Sequence, residues 1–581
     1  MILQGFLVLG LSFWSHVLCA QEAAIGGSSS ELERWLTGVS LDSWTTNSLT
    51  ECTAIILKAP NWGANSESLN RWLNQAYSAQ AVQKIAWNQI SGLQRWCALF
   101  ADHTEKVSSL NTATVAWLLN DPFLTEDFFA NLSPKDHVPE VLTLLQEFHQ
   151  TEPARFPGYN HLAIAMALVW DEPPPPAPHH QVAPDKVPKN TSSITDKFRF
   201  WIEMNEKKVA IYDLTKLDVD QLKFLVDATV PFEELQWVRN SAHYNRGNLD
   251  HAFSSVRYDE ARLSRGQYTW PHENYNLKEI RKCGGICVDQ AYFAAVVGKG
   301  NGIPTLFFVG EGRRGGHAWF GYMKSPDRWV MDCGRYQNDK YATGTATDPQ
   351  TSQPISDHEI AFLAEPFRNT PVYRLSMAHL QQAKRFRAIG DEARSLTATE
   401  TSIELAPFNL DAWDFKTALL EGKTGAEAIY QKHLNTMINQ FVRYPDIKVA
   451  CQQKLATLAR AKGDEKVVAL IEERMVRDNR DKRHDLSEEV FRNKLHECYD
   501  RGDWKGGQAV VHDAAMKLKD ETGAVFELLR DFVTRCLQNG RYGEAKHALA
   551  DFKNRVRMDS IIGGQFRGLQ NQVKEATKGQ R

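Results

Sequence analysis

Three residues of different chemistry follow one another at spacings that suit nucleophilic catalysis: Cys287, then His317 thirty residues later, then Asp332 fifteen residues further. Cys287 directly precedes "VDQAYFAAVV", whose Ala and Val residues suit a buried central helix. A helix N-terminus lowers the pKa of a thiol through its dipole and its unpaired amide donors. Gly284 and Gly285 allow a tight turn and close approach of a substrate. The sequence therefore predicts a reactive thiolate at Cys287.

The histidine and the aspartate both fall in strand-like runs. His317 follows two glycines in "GGHAWFGYM", and its imidazole can take the thiol proton and later return it to a leaving amine. Asp332 follows the apolar "RWVM" in the next predicted strand, where a carboxylate can hold the imidazole in the required tautomer. A cysteine at a helix start with these two strand residues predicts a compact catalytic triad.

Other interpretations of the same residues stay open. A single cysteine in a helical pattern is usually a small core residue. Cys283, Cys287, His317 and Cys333 have the ligand types of a tetrahedral zinc site, although alternation along a strand points Cys333 away from the Asp332 side. Disulfides from Cys283 to Cys333 or to Cys287 are further alternatives, and residues four apart on a forming helix have poor disulfide geometry.

The elements that must position these residues form an α+β region over residues 191–370. The runs "GIPTLFFVG", "GGHAWFGYM" and "RWVMDCGRY" predict three strands of an antiparallel sheet that follow the central helix. Earlier in this region, "KFRFWIEMNEKKVAIYDL" alternates with period two and predicts a hairpin with its turn near Asn205. The segment "DVDQLKFLVDATVPFEELQWVRNS" predicts a helix after it.

The stretch "GGICVDQAYFAAVVGKGNGIPTLFFVG", followed by "GGHAWFGYM" and "DRWVMDCGRY", resembles the transglutaminase-like superfamily. The resemblance is close over residues 280–336 and loose over 190–370. It implies a papain-like core and acyl transfer through a thioester, with Cys287 as nucleophile, His317 as base and Asp332 as orienting acid. It also implies that residues 302–304, Gly-Ile-Pro, turn the chain into the first strand.

The resemblance further implies an oxyanion hole. The backbone amide of Cys287 would contribute one donor. Trp270, in "YTWPHENYN", is the first candidate for the second donor and His272 is the other, because some members of the superfamily use an aromatic or polar side chain upstream of the nucleophile.

Helical patterns flank this region on both sides. Residues 21–170 predict a helical N-terminal domain, and the proline-rich residues 171–190 predict a linker or surface strap. Over residues 376–581, the glycines at 422, 463, 502 and 540 recur at spacings of 41, 39 and 38 between helical runs, which indicates an array of helical hairpins that resembles tetratricopeptide repeats. Such arrays bind peptides or act as scaffolds, so the array is either a site for a protein partner or a structural clamp on the neighbouring domain.

The N-terminus and the composition indicate the cellular setting. Residues 1–20 carry an apolar run that ends in small residues and predict a secretory signal peptide cleaved near Ala20, which places the mature protein in the periplasm or outside the cell. The net charge of -3 offers no broad basic surface for nucleic acid, and no later stretch is long and apolar enough to predict a membrane span. Arg313 and Arg314, in a glycine-rich loop, could steer an acidic substrate.

These observations predict an exported, multidomain α+β cysteine enzyme that acts on peptide or isopeptide amide bonds without a metal or other cofactor. Hydrolysis by a peptidase or amidase is favoured over protein crosslinking on the family resemblance. The alternative is a catalytically silent binding module that retains the fold while the helical array acts as a scaffold.

Overall fold

The computed structural model describes residues 30–312, 315–335, 343–479, 483–518, 521–558 and 560–578. The signal-peptide prediction for residues 1–20 and the predicted role of Arg313 and Arg314 fall outside these residues. The described chain is mostly helical, with one small antiparallel sheet in its middle. No helix in these ranges combines the length and the apolar character needed to cross a membrane.

The N-terminal region is helical, as its pattern predicts. Ser30 caps the helix Glu31–Thr37 through a capping box that it forms with Glu33. Large aromatic residues at helical spacing, such as Trp87 and Trp96, are almost fully buried and hold the helices together. The helices are Glu31–Thr37, Thr46–Lys58, Trp62–Ala76, Ile85–Asp102, Thr104–Ser109, Thr112–Asn120, Pro122–Asn131, Val138–Thr151 and Asn160–Val169.

The proline-rich segment 171–190 is a strap that is fixed to the central region. The backbone carbonyl of Gln181 accepts a hydrogen bond from the Trp270 amide at 2.8 Å, and that of Lys186 accepts one from the Tyr275 amide at 2.8 Å. The Lys186 ammonium donates to the Trp270 carbonyl at 2.9 Å. The strap is therefore part of the folded core region and does not behave as a free spacer.

The hairpin predicted near Asn205 is wrong, because the chain forms the helix Ile194–Glu206 there. The buried residues follow the three- and four-residue spacing of a helix: Phe198, Trp201 and Ile202. Burial of this helical face stabilises a helix more than the period-two pattern stabilises a hairpin. Ser193 caps the helix by accepting a hydrogen bond from the Asp196 amide. Asn205 lies in the last turn rather than in a hairpin loop.

Short helices lead from this point to the central helix. The predicted helix after the supposed hairpin is interrupted before Pro231, which cannot continue a helix from the preceding residues. The helices are Val219–Val226, Phe232–Ser241, His251–Ser254, Glu260–Ser264, Leu277–Cys283 and Cys287–Gly300, and Asp357–Leu363 follows the sheet. Every residue of Cys287–Gly300 after Cys287 is buried, which confirms the predicted buried central helix.

The central helix packs on a five-stranded antiparallel sheet. Its strands are β1 (Thr305–Gly312), β2 (Gly315–Ser325), β3 (Arg328–Cys333), β4 (Thr343–Thr347) and β5 (Pro354–Ser356), in the order β3-β2-β1-β4-β5. The first three confirm the predicted strands. β4 and β5 were not predicted, because their short runs of small residues carry little β signal. In the register of β1 with β2, Val309 lies opposite Ala318, and Gly310 lies opposite His317.

The C-terminal region is a succession of helices. The glycines at 422, 463, 502 and 540 all lie in turns between helices and have positive φ, as the spacing indicates. The helices are Pro371–Ala388, Glu392–Leu405, Leu410–Leu420, Glu427–Gln440, Pro445–Ala461, Glu465–Asn479, His484–Asp500, Trp504–Lys517, Thr522–Gln538, Tyr542–Arg555 and Ser560–Lys578.

The first of these C-terminal helices docks on the N-terminal region. His379 Nδ1 lies 2.8 Å from the Tyr77 hydroxyl, and the Arg385 guanidinium donates to the Gln94 side-chain oxygen at 3.0 Å. Arg385 is buried and meets polar neutral groups there. The C-terminal helices are thus fixed to the rest of the molecule by buried hydrogen bonds.

Candidate active site

Cys287 is the first residue of the central helix, where the sequence predicts it. The side chain of Asp289 accepts a hydrogen bond from the Ile286 amide at 2.9 Å and so caps the first turn. Gly284, three residues before the thiol, has φ of +86°, and a Cβ atom there would lie 2.5 Å from the Arg257 carbonyl oxygen. Only glycine allows residue 284 to lie this close to the Arg257 carbonyl without strain, so this glycine before Cys287 is required by the local structure.

The thiol of Cys287 is half-buried, and its environment acts in two directions. Burial raises its pKa, and the nearby charge of Asp289 raises it further, whereas the backbone N–H groups of Ala318 and Val288 favour the thiolate. The net direction of the pKa is upward, so the lowering that the sequence predicts for the helix start is present but outweighed. Desolvation outweighs the backbone N–H donors of the helix start here, so the pKa of the thiol lies above its ordinary value.

His317 lies on β2, one residue before a backbone group that contacts the Cys287 thiol. The N–H group that contacts the Cys287 thiol belongs to Ala318, the next residue. The Nε2 atom of His317 lies 2.9 Å from the carbonyl oxygen of Gly334, and the ring packs 6.0 Å from that of Trp319. Because Nε2 faces Gly334, Nδ1 is the ring nitrogen that would receive the thiol proton. Among the described residues no hydrogen bond joins the thiol to the ring directly.

Asp332 lies in β3, as predicted, but the structure does not join it to His317. Its side chain is exposed, and its carboxylate makes no hydrogen bond with another residue in the described ranges. The acceptor that meets the imidazole is instead the backbone carbonyl of Gly334. A carbonyl can fix the tautomer and the ring orientation of a histidine in the same way that a carboxylate does, although it adds no charge.

Gly334 is a site residue that sequence reasoning missed. It has φ of +85°, and a Cβ atom there would lie 2.5 Å from the buried ring of Phe253. The turn that carries it is closed by a hydrogen bond from the Arg335 amide to the Asp332 carbonyl at 3.1 Å. The Arg335 side chain then pairs with Asp357 at 2.7 Å. The signal in the sequence is a glycine directly after a predicted strand, in "DCGRY".

Of the two upstream candidates for the oxyanion hole, Trp270 already uses its donor. Its indole N–H donates to the Asn274 carbonyl at 3.0 Å, and the ring is 2% exposed. The structure therefore gives no support to Trp270 in that role. His272 is exposed, with its ring 5.0 Å from that of Trp270, and its role stays a prediction.

Tyr258 is a second residue that the sequence did not reveal. Its backbone pairs with Gly285 in a short parallel bridge, and the flanking residues close the pairing through Asp259 N–H to Gly285 O and Gly285 N–H to Arg257 O, both at 3.0 Å. Burial raises the pKa of the Tyr258 phenol to about 12, and the nearby Cys287 thiol contributes to the rise. A neutral hydroxyl donor thus lies close enough to the thiol to interact with its charge.

The described residues show neither the disulfides nor the zinc site that were alternatives for the other cysteines. All eight cysteines of the described residues carry free thiols. Cys283 Sγ lies 3.6 Å from the Glu279 carboxylate, and Cys333 is buried, which raises its pKa to about 12. In the described part of the chain no three His, Cys, Asp or Glu side chains lie together as metal ligands, so the zinc alternative has no cluster to rest on.

Comparison with known proteins adds no family to this geometry. No family model matches the chain, and no curated protein matches it significantly.

Proposed function

We propose that the protein is a transglutaminase-like cysteine enzyme that attacks amide bonds of a peptide or protein, with Cys287 as nucleophile and His317 as general base. The thiol proton passes to Nδ1 of His317 while sulfur bonds to the amide carbonyl carbon. The C–N bond then breaks, and the leaving amine takes the proton back. Water or a second amine attacks the resulting thioester, and the thiol is restored.

One observation carries this proposal: the half-buried thiol at a helix start contacts the amide of Ala318, the residue next to an imidazole whose far nitrogen is held by a carbonyl. A nucleophile beside a base, with the base oriented by a third group, is the arrangement that covalent catalysis needs. The direct hydrogen bond from thiol to ring would form with modest adjustment when a substrate binds, as is common for catalytic pairs.

The tetrahedral oxyanion needs donors beside the sulfur. In this proposal the first is the backbone N–H of Cys287, which lies in the first turn of its helix and has no carbonyl acceptor within it. The second is the Tyr258 hydroxyl, which takes the place that the sequence assigned to Trp270 or His272. Removing one such donor commonly lowers a rate by about 10²-fold to 10³-fold.

The second candidate is a binding module without catalysis, and one specific observation favours it. The thiol is held in its protonated form by burial, and the only carboxylate of the predicted triad, Asp332, is exposed. In that case peptide binding by the helical array would be the function, and the cysteine would be a packing residue.

Intact-mass analysis of the purified chain after reaction with p-nitrophenyl acetate tests the two candidates. The enzyme is expected to gain an acetyl group on Cys287 that persists in acid and is lost at neutral pH. The matched variants are Cys287→Ser and Cys283→Ser, because Cys283 is a second partly exposed thiol only four residues away. Only Cys287→Ser should lose the adduct, and Tyr258→Phe should slow its formation.

The same protein is then incubated with a tryptic digest of casein and a biotinylated amine. New peptide ends that depend on Cys287 indicate hydrolysis, and biotin on glutamine indicates transfer. Equal acetylation of both cysteine variants, or no adduct at all with the wild-type chain, contradicts the enzyme proposal and leaves the binding module.

A further inference from the structure

A buried polar network lies directly beneath the nucleophile. Asp289, which is fully buried, accepts hydrogen bonds from the Ile286 amide at 2.9 Å and from the Tyr275 hydroxyl at 3.2 Å. The Arg262 guanidinium, 1% exposed, pairs with the same carboxylate at 2.6 Å. Its remaining nitrogens donate to the carbonyls of Gln267 and Tyr268. Three donors, from Ile286, Tyr275 and Arg262, thus point at one carboxylate, which is the arrangement that a buried charge requires.

The network continues outward to the proline-rich strap. His179 Nε2 lies 2.7 Å from the Tyr275 hydroxyl, and its Nδ1 accepts from the Gln181 amide at 3.3 Å. Because Tyr275 donates its proton to Asp289, His179 must donate to Tyr275 through Nε2–H. An ordered chain of hydrogen bonds therefore runs from the strap, through His179 and Tyr275, to the residue that caps the helix of Cys287.

The side chain of Asp289 is tightly packed against the turn that precedes the thiol. A Cβ atom on Gly285 would lie 2.4 Å from the Cβ of Asp289, so the turn before the thiol is in contact with the side chain that caps it. Asp289 thus fixes the geometry of the first helical turn and carries a charge close enough to the sulfur to raise the pKa of the thiol.

We propose that Asp289 is the positioning residue of the Cys287 nucleophile and that Arg262 is the charge partner of Asp289. The hydrogen-bond chain that ends at Asp289 connects the strap of residues 171–190 to the active site. Burial keeps the thiol protonated and the charge of Asp289 adds to this effect, so the protein uses general-base activation by His317 and not a standing thiolate–imidazolium pair. The catalytic meaning of this proposal rests on the proposed function, but the effect on the thiol does not.

The charged and titratable groups that face this site come from every element around it. Arg262 comes from the helix Glu260–Ser264, Tyr275 from the loop before Leu277–Cys283, and His179 from the strap. Tyr258 lies close enough to the thiol for their charges to interact, and His317 is the residue before Ala318, whose backbone N–H group contacts the thiol. The Asp289 charge raises the pKa of Cys287, so removing that charge while Arg262 stays must lower it.

The test is the pH dependence with which iodoacetamide alkylates Cys287 in the full chain. A Cys283→Ser background leaves one thiol in the tryptic peptide 283–299, so mass spectrometry reports on Cys287 alone. Asp289→Asn keeps an acceptor for the Ile286 amide and removes the charge. We expect its alkylation midpoint to fall by about one pH unit, with about threefold faster reaction near pH 7.5 because a less basic thiolate is also less nucleophilic.

The double variant Asp289→Asn with Arg262→Gln separates charge from loosened structure. It removes one negative and one positive charge, so its midpoint should return close to the wild-type value. A purely structural role predicts a different result. The helix start would be loosened in the double variant, so its alkylation midpoint would equal that of the unfolded chain, which is measured in urea. Tyr275→Phe, which removes a hydroxyl and no charge, should change the midpoint little.

An unchanged midpoint in Asp289→Asn, or a double variant that stays at the unfolded value, overturns the inference. Acetylation by p-nitrophenyl acetate is measured on the same proteins. A wild-type chain that shows the expected alkylation shifts but never forms an acetyl adduct would refute the proposed function and leave the role of Asp289 intact.

Discussion

If the carbonyl of Gly334 orients the catalytic imidazole, then Gly334→Ala should damage catalysis far more than Asp332→Asn. The Gly334 carbonyl lies 2.9 Å from His317 Nε2, whereas the Asp332 side chain is exposed. The family resemblance alone predicts the reverse order, because it makes Asp332 the orienting acid. The two substitutions therefore test the structure against the resemblance.

The magnitude follows from the local geometry. An added Cβ on Gly334 would lie 2.5 Å from the Phe253 ring, which is 2% exposed and cannot move aside. The φ of +85° costs a further 1–2 kcal/mol or so for alanine. The turn must shift, and a shift of about 1 Å takes the carbonyl beyond hydrogen-bond range and can lower a rate by about 10²-fold, or about 2.7 kcal/mol in the barrier.

The assay is the rate of acetyl-enzyme formation with p-nitrophenyl acetate, compared with alkylation of Cys287 by iodoacetamide. Gly334→Ala should slow acetylation about 10²-fold. Its alkylation rate should stay within a few-fold of the wild-type rate, because alkylation needs no oriented base. Asp332→Asn should slow acetylation less than about threefold, as expected for an exposed carboxylate that makes no hydrogen bond within the described part of the chain. A large loss in Asp332→Asn beside a mild effect of Gly334→Ala would refute the reasoning and restore the predicted Cys-His-Asp triad.

Two further predictions concern stability. Burial lowers the pKa of His179 to about 3, so the docked strap loses stability as the pH falls below about 6.5, where the undocked histidine takes up a proton, by at most about 2 kcal/mol at pH 5. The protection factors of residues 171–190, which correct for the slower intrinsic exchange at lower pH, should therefore fall between pH 7 and pH 5. His179→Asn should abolish this fall and His180→Asn, at the exposed neighbour, should not. Equal protection profiles in all three proteins would contradict the docking. Arg385→Ala should lower the free energy of unfolding by about 2–4 kcal/mol, because it leaves the buried Gln94 and the half-buried Ser91 without their donor. Urea denaturation measures this loss, with the exposed Arg443→Ala as control, and equal midpoints would show that this contact does not fix the C-terminal helices.

Local signals in the sequence predicted much of the fold. The start of the central helix at Cys287, the three strands that follow and the turn glycines of the C-terminal helices all lie where composition and spacing place them. These features depend on residues close together in the chain, and so a short window contains the information. The helix Ile194–Glu206 was mistaken for a hairpin because its alternating pattern and its helical face use the same aromatic residues.

The candidate site divides in the same way. The sequence by itself determined that a cysteine begins the central helix and that a histidine lies on a neighbouring strand. Only the tertiary structure decided that Gly334, not Asp332, meets the imidazole, because that contact depends on a turn held by Phe253 and Arg335. It also decided the state of the thiol, since desolvation and the buried Asp289 charge arise from groups that the fold brings together.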